Sequence, residues 1–536
     1  VKIDKKKFTT KLADQLNIFE FFSNFYGSIV NPDFKSYISR RRKIKNYKLP
    51  NFYSIKHSIH SSPVRVNARK QPGPLPITKN CSLVGFVPNY VGHTPAKSFT
   101  PNVDFIYFLS KFPFPDPTVN VKLLKQREVW NGSYDTFYKV LLEFTKYRKN
   151  SWTANDYLNV LEEEGMPWFS LPQMDFPDVS EIENVFVNPK ANPGYYTSMF
   201  YGPRRENTLR VSVPIAKAIF NHLKKKPFTW QGLWHFGGRS KDIKTTNELN
   251  ENIATRAIWI PEEPLVLLSL IIVQPLTLAI TRMRNHCLFI GKNFNLDENN
   301  IICRLASRYG WSFRCDWSLF DAHVDEAMIV AAMQMIRNCY PQNNRGIDRF
   351  FSFLTDTIIR KNIVLPPGFV YQIKTGQPSG HPLVTLVNTI INYIVWVTIM
   401  QKIYGKGKVA WNCRGLFSGD DTKFYCNFHP KLFEIDQIIK DTTILECDSV
   451  AESLTPHNDS QSDVPNQLRF LKRYVSSAFG VMGWNSYTTL RKLMYNDKIF
   501  RNRSADPQWR YEHQCSWVFN ILYTAPANLE LNEYLL

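Results

Sequence analysis

Gly415-Leu416-Phe417-Ser418-Gly419-Asp420-Asp421-Thr422-Lys423-Phe424-Tyr425-Cys426 is a pair of apolar stretches interrupted by a short acidic turn, the pattern of two strands joined by a tight hairpin. Adjacent carboxylates repel each other, and a fold keeps them side by side where a cation neutralises them. Mg²⁺, which takes hard oxygen ligands, is the ion they suit. Acid-glycine turns also close ordinary hairpins, so the reading depends on the rest of the chain.

Upstream lies Trp311-Ser312-Phe313-Arg314-Cys315-Asp316-Trp317-Ser318-Leu319-Phe320-Asp321. Its alternating start predicts a strand ending near Asp316, followed by helical spacing through Ala327 and Met328. Asp316 would then stand at a strand end and Asp321 near a helix start. Paired beside the hairpin, this strand would bring three carboxylates together, as a two-metal site requires. The plainer alternative for Asp321 is a helix cap, and a cap still has an oxygen to offer a sugar hydroxyl.

A third stretch, Gly376-Gln377-Pro378-Ser379-Gly380, is loop punctuation running into a largely apolar helix. Thr385, Asn388, Thr389 and Asn392 fall on one face of that helix and must find hydrogen-bond partners. A substrate ribose and the neighbouring backbone are the two candidates.

The order Asp-x4-Asp, then Ser-Gly with Thr and Asn, then Gly-Asp-Asp resembles palm motifs A, B and C of viral RNA-dependent RNA polymerases. Phe470-Leu471-Lys472-Arg473 resembles motif E, Thr255-Arg256-Ala257-Ile258-Trp259 the end of motif F, and Asn192-Pro193-Gly194-Tyr195 motif G. The Asp-Trp-Ser-x-Phe-Asp form of motif A and the Arg-x-x-Trp element look most like the polymerases of partitiviruses and picobirnaviruses, which have segmented double-stranded RNA genomes.

The resemblance implies an α+β right-hand polymerase with a closed fingers–thumb ring and an RRM-like antiparallel palm sheet. It implies RNA-templated RNA synthesis from NTPs with two Mg²⁺ ions, Mn²⁺ being able to substitute. The metal ligands would be Asp316, Asp420 and Asp421. Asp321, Ser379, Thr385 and Asn388 would serve the substrate ribose, whose 2′-OH both donates and accepts, and Gly380 would let the loop approach template backbone. Arg256, with Arg239, Lys241 and Lys244, would grip the triphosphate. Lys472, Arg473, Asn192 and Gly194 would contact primer or template RNA. Family members place a general-acid Lys in motif D, but this chain has no Lys between Asp441 and Phe470. His457 is the residue assigned that proton transfer here, since an imidazole titrates near neutrality.

Composition agrees. The 536 residues are 44% hydrophobic and 14% aromatic, enough for a large core, and the net charge of +20 implies a polyanionic partner. Residues 1–70 carry 16 Lys and Arg against 4 Asp and Glu. Lys5-Lys6-Lys7 and Arg40-Arg41-Arg42-Lys43, interleaved with Tyr37, Tyr47, Phe52 and Tyr53, suit an RNA-contacting arm as well as a solvated surface. Nine cysteines form no Cys-x-x-Cys pair, which argues against structural zinc and for reduced thiols in a cytosolic setting. The apolar segment Leu265 to Ile280 contains Gln274 and Pro275 and is short of a bilayer span, which favours a buried fingers element. No membrane anchor and no signal peptide are expected.

The motifs divide the chain into a basic wrapping segment (1–110), fingers (111–308 and 338–372), palm (309–337 and 373–476) and a thumb with C-terminal tail (477–536). Trp509, Tyr511, His513 and Trp517 in the tail could form an initiation platform. Template and product RNA, NTPs and a viral capsid protein are the expected partners of a monomeric polymerase in the virion interior and host cytoplasm. Two rivals stand beside this reading: a catalytically silent polymerase-like protein that packages RNA, marked by a broken carboxylate set, and a reverse transcriptase, marked by a bulky residue in place of Asp321.

Overall fold

In this computed structural model the described residues are 74–87, 90, 109, 111–112, 114–115, 129–130, 134–148, 150–165, 169–239, 241–242, 256–292, 299–315, 317–366, 368–427, 432–447, 455–456, 470–471, 474–475, 482–483 and 490. Along the chain, strand β1 (Cys81–Phe86) precedes helices α1 (Tyr134–Thr145), α2 (Ala154–Glu164), α3 (Tyr195–Tyr201) and α4 (Arg205–Lys225). Strands β2 (Leu233–Arg239) and β3 (Arg256–Ile260) lead to α5 (Glu263–Arg282), α6 (Asn299–Arg308) and β4 (Trp311–Cys315). Then come α7 (Phe320–His323), α8 (Glu326–Arg337), α9 (Arg345–Ile359), β5 (Lys361–Leu365) and β6 (Phe369–Ile373). The long α10 (Val384–Tyr404), α11 (Val409–Asn412), β7 (Cys413–Ser418), β8 (Asp421–Cys426) and α12 (Leu432–Thr442) follow.

Local chemistry explains several boundaries. Thr153 and Asp156 form a reciprocal capping box at the start of α2, which stops at Gly165 in the left-handed region (φ +52°). Asn344 caps α9, and Asp325 caps α8 by accepting from Met328 N at 2.9 Å. The cap proposed for Asp321 therefore belongs to Asp325. Asp321 sits inside the short α7, whose preceding residue Leu319 supplies no side-chain cap.

Two sheets organise the described chain. One has the order β1-β6-β5-β2-β3, antiparallel throughout except for the parallel contact of β2 with β5. The other is antiparallel, in the order β7-β8-β4 followed by the short strand Thr455–Pro456. Helix α10 packs against β7 and also touches α2, α8 and α12. Its fully buried Trp396 meets Phe313 of β4 at 5.2 Å and Phe424 of β8 at 5.6 Å between ring centroids. Each such side chain contributes about 1.5–3 kcal/mol by leaving water. The helix is apolar nearly all round because it is buried nearly all round.

Two sequence expectations need correction. The apolar stretch that looked short of a bilayer span is the full 20-residue α5, and both α5 and α10 are long and apolar enough to cross a membrane by composition. In the fold they are core elements, with 56% and 94% of their most apolar windows buried. Pro264 fits the first turn of α5, where its missing N–H costs nothing, and Pro275 interrupts the interior. The cysteines also differ from a uniform set of thiols. Cys81, Cys287, Cys339, Cys413 and Cys426 are free and buried, whereas Cys447 is disulfide-bonded. Sequence spacing does not reveal which sulfurs the fold brings within bonding reach.

Candidate active site

Ser418 pairs with Asp421, leaving Gly419 and Asp420 as a two-residue turn between β7 and β8. Gly419 has φ +62°, the left-handed geometry that favours glycine in so tight a hairpin. Asp420 and Asp421 are both exposed. Strand β4 lies antiparallel beside β8 with Cys315 opposite Thr422, so the chain leaves β4 at the acidic end of the hairpin. Asp316, the next residue, lies outside the described ones, and among the described residues no group of three or more metal-ligating side chains occurs. Two hard-oxygen donors on a fixed turn suit Mg²⁺.

The turn is held from behind by the polar stripe of α10. Thr389 Oγ1 accepts from Gly419 N at 2.8 Å and donates to Thr385 O at 2.6 Å. Asn392, fully buried, donates through Nδ2 to Gly419 O at 3.0 Å and Asp421 O at 3.3 Å. Its Oδ1 accepts from Trp317 Nε1 at 3.0 Å and Thr422 Oγ1 at 2.9 Å. One carboxamide thus joins the segment after β4, the acidic turn and α10. The stripe's partners are neighbouring helix backbone and the turn for Thr389 and mostly the turn itself for Asn392, while Thr385 is exposed.

Asn388 plays a different part. Its Nδ2 donates to Asp321 Oδ1 at 2.6 Å, which fixes the amide orientation because a carboxylate only accepts. Among the described residues its buried Oδ1 has no partner. Asp321 is half-buried at the mouth of this pair.

The loop at 376–380 is tied at both ends. Gly376 N donates to Val324 O at 3.0 Å and Gln377 N to Asp321 O at 2.6 Å, so loop and Asp321 move as one. Ser379 O accepts from Trp259 N of β3 at 2.7 Å. Gly380, at φ +116°, lies so close that a Cβ would come within 2.4 Å of Trp259 O. Beyond it, His381 accepts from Leu383 N through Nδ1 at 3.3 Å and meets Ser269 of α5 through Nε2 at 3.0 Å. Burial, reinforced by the charge of Lys361, pushes the His381 imidazole down to about 3, so it is neutral.

Lys361 escaped the sequence reading. It is fully buried, and the three protons of its Nζ are shared among Ile358 O, Ile359 O, Thr375 O and Gly376 O at 2.6, 3.0, 2.9 and 2.8 Å. Burial drives its pKa well below the ordinary lysine value, an effect the four carbonyl dipoles oppose. The ammonium fastens the root of the 376–380 loop to the end of α9. A lone Lys opening an apolar strand gives no hint of this, because the carbonyls arrive from 14 and 15 residues away.

Strand β3 begins at Arg256, directly opposite Arg239 in β2. Lys244, His457, Lys472 and Arg473 lie outside the described residues, as do the side chains of Arg239, Lys241 and Arg256. The N-terminal arm and the aromatic tail do too. Asn192 Oδ1 accepts from Gly194 N at 2.9 Å and meets His235 Nε2 at 3.2 Å. Gly194 (φ +109°) abuts Glu262, whose carboxylate accepts from Tyr196 N, Thr197 N and Thr197 Oγ1 at the start of α3.

Residues 240–495 match the viral RNA-dependent RNA polymerase family. This stretch is similar to an RNA-directed RNA polymerase domain. Non-structural polyprotein 1AB of Turkey astrovirus 2 is 28% identical over 119 residues, which is 20% of this chain and 7% of the polyprotein. The chain thus aligns with a small part of that relative's length. The matched range contains the acidic turn, α10, the 376–380 loop and β3, while Asn192, Gly194 and Arg239 lie upstream of it.

Proposed function

We propose that the chain copies RNA templates into RNA by nucleotidyl transfer from NTPs to an RNA 3′-OH, with Asp316, Asp420 and Asp421 as ligands for two Mg²⁺ ions. The observation that carries this is the register of β7, β8 and β4, which ends the strand leading into Asp316 at the same edge as the acidic turn. Bound Mg²⁺ would neutralise charge on the phosphate oxygens. The protein's own groups do the positioning: Asn392 and Thr389 fix the turn, and Asp321 with Asn388 reads the ribose. The buried Asn388 Oδ1 is an acceptor awaiting a donor, and a 2′-OH supplies one.

Arg256, helped by Arg239, Lys241 or Lys244, grips the incoming triphosphate in this reading, because a guanidinium forks onto phosphate oxygens. Within the same reading, the β7-β8-β4 sheet is the palm of a right hand whose fingers and thumb close into a ring. The basic 1–110 segment wraps the two, and Lys472, Arg473, Asn192 and Gly194 touch RNA. His457 donates the proton to the pyrophosphate leaving group. The Asp-Trp-Ser-x-Phe-Asp form of motif A supports a double-stranded RNA virus as source, with a monomeric polymerase working beside capsid protein in the virion and host cytoplasm.

The test is Mg²⁺-dependent incorporation of labelled NTPs on single-stranded RNA without primer, with Asp420→Asn and dNTPs in parallel. Activity that needs Asp420 and ignores dNTPs supports the proposal. Incorporation of dNTPs would move it to a reverse transcriptase. A folded, RNA-binding wild type that stays silent with primer and capsid protein supplied would make it a packaging protein.

A further inference from the structure

A cavity of about 590 Å³ lies away from the acidic turn, at the other end of the β7–β8 hairpin. Its wall includes Arg284 and Asn285 beyond α5, Arg308 and Tyr309 at the end of α6, Trp411 of α11 and Arg414 of β7. From Arg414 to Gly419 the extended strand runs roughly 16 Å, so this cavity is separate from the proposed metal-binding edge.

Its charge is one-sided. Three guanidinium side chains line it, and a fourth, Arg304, donates to Asn285 Oδ1 at 2.6 Å. The carboxylate in the wall, Glu164, is buried and already engaged: Oε1 accepts from Gln401 Nε2 at 2.9 Å and Gly407 N at 3.0 Å, and Oε2 from Val409 N at 3.1 Å. Among the described residues, neither Arg284 nor Arg308 forms an ion pair. Burial lowers the pKa of Arg414, Cys287 and Tyr309 oppose that shift, and the neighbouring charges of Arg308 and Arg304 add to it. Like charges gathered in a concave site attract an anion, and guanidinium forks match phosphate oxygens in particular.

The cavity also offers a flat apolar surface. Trp411 is 81% exposed although its side chain is among the largest in the protein, and its backbone is fixed by Asn427 Nδ2 donating to Trp411 O at 3.2 Å. An exposed indole beside guanidinium groups is the combination that holds a base and its phosphates together.

We propose that this cavity is a second nucleotide site, taking a 5′-phosphorylated nucleotide with its phosphates on Arg284, Arg308 and Arg414 and its base against Trp411. The ligand's chemistry is shared by a free nucleoside triphosphate and by the triphosphate 5′ end of an RNA strand. An acidic peptide would satisfy the arginines but leave the indole unused.

The test titrates the full chain calorimetrically with ATP in EDTA, which suppresses metal-dependent binding at the acidic turn. One ATP per chain is expected. Affinity should fall about tenfold or more in Arg284→Ala/Arg308→Ala, as loss of charge-assisted phosphate contacts predicts, and fall in Trp411→Ala. Asp420→Asn should bind as wild type does, and adenosine should not bind. A preference for 5′-triphosphorylated over 5′-hydroxyl RNA, lost in the double variant, assigns the site to an RNA end, and ATP binding without that preference assigns it to free nucleotide. The proposal is overturned if wild type binds neither probe, or if the folded double variant, checked by thermal melting, binds both as wild type does. Because no synthesis is measured, this outcome is independent of the polymerisation test.

Discussion

Asn388 Nδ2 stands 2.6 Å from Asp321 Oδ1, a charge-assisted bond between the long central helix and the helical turn after β4. It orients both groups, leaving the Asn388 carbonyl as a buried acceptor. Asn388→Ala should therefore relax selection for ribose. Hydrogen bonds of this kind are worth about 1–3 kcal/mol, or roughly five- to 150-fold in rate ratio. The check is the ratio of kcat/KM for an NTP and its dNTP. An unchanged ratio in an active Asn388→Ala enzyme would remove these residues from ribose reading.

Asn392→Leu should damage stability and activity together. The substitution leaves Gly419 O, Asp421 O, Trp317 Nε1 and Thr422 Oγ1 without their shared partner. Buried groups stripped of partners cost about 1–3 kcal/mol each, so the urea midpoint should drop clearly and incorporation fall even where the protein is folded. Retained activity at a lowered midpoint would mean that the turn keeps its geometry without the amide.

Gly380→Ala should be poorly tolerated for two reasons, the positive φ and the 2.4 Å approach to Trp259 O. Non-glycine residues in sparsely populated backbone regions cost about 1–3 kcal/mol, and the clash falls on backbone that cannot swing aside. The displaced strand is β3, so KM for NTP should rise along with the stability loss. Melting and steady-state kinetics on the same preparation separate the two effects.

Acid should destabilise the fold through His381. Its folded-state pKa, about 3, lies below the unfolded value near 6.5, so between those values the unfolded chain binds more protons. Its contribution is fully present above the unfolded pKa and declines as pH falls toward the folded one, at up to about 1.4 kcal/mol per pH unit. His286 and His323, also lowered chiefly by burial, act in the same direction. Urea midpoints at pH 7, 6 and 5 should decline, and His381→Gln should flatten the slope. Equal slopes in both proteins would remove His381 as a cause.

Lys361→Met tests the buried ammonium. Removing it strands the carbonyls of Ile358, Ile359, Thr375 and Gly376, and a loss of several kcal/mol is expected at about 1–3 kcal/mol for each unsatisfied group. Chemical denaturation measures it. A variant as stable as wild type would show that the loop root is held by Gly376 and Gln377 alone.

What the sequence disclosed was what is local. The hairpin around Gly419, the strand ending at Cys315 and the polar face of α10 are written in periodicity and turn residues a few positions apart. The cross-links were hidden: Trp259 to Ser379 spans 120 residues of chain, and His381 to Ser269 spans 112. Neither bond has a local signature, since a backbone N–H is present at nearly every residue and a serine is common. The stripe of α10 was visible, but only the fold shows that Thr389 and Asn392 hold the turn while Asn388 faces Asp321.

Helix α10 is 94% buried over its most apolar window, yet what buries it is spread along the chain, from α2 to α12. During synthesis it emerges after α2 and α8 but before β7 and α12, so its cover is incomplete until residue 442 has left the ribosome. Chain ends between 405 and 442 would leave a membrane-like helix facing water, a species prone to aggregate or to be captured by chaperones. The stretch that binds the acidic turn most firmly is thus sheltered only after the turn itself has been made, and premature termination there is expected to give an aggregating product and not a smaller enzyme.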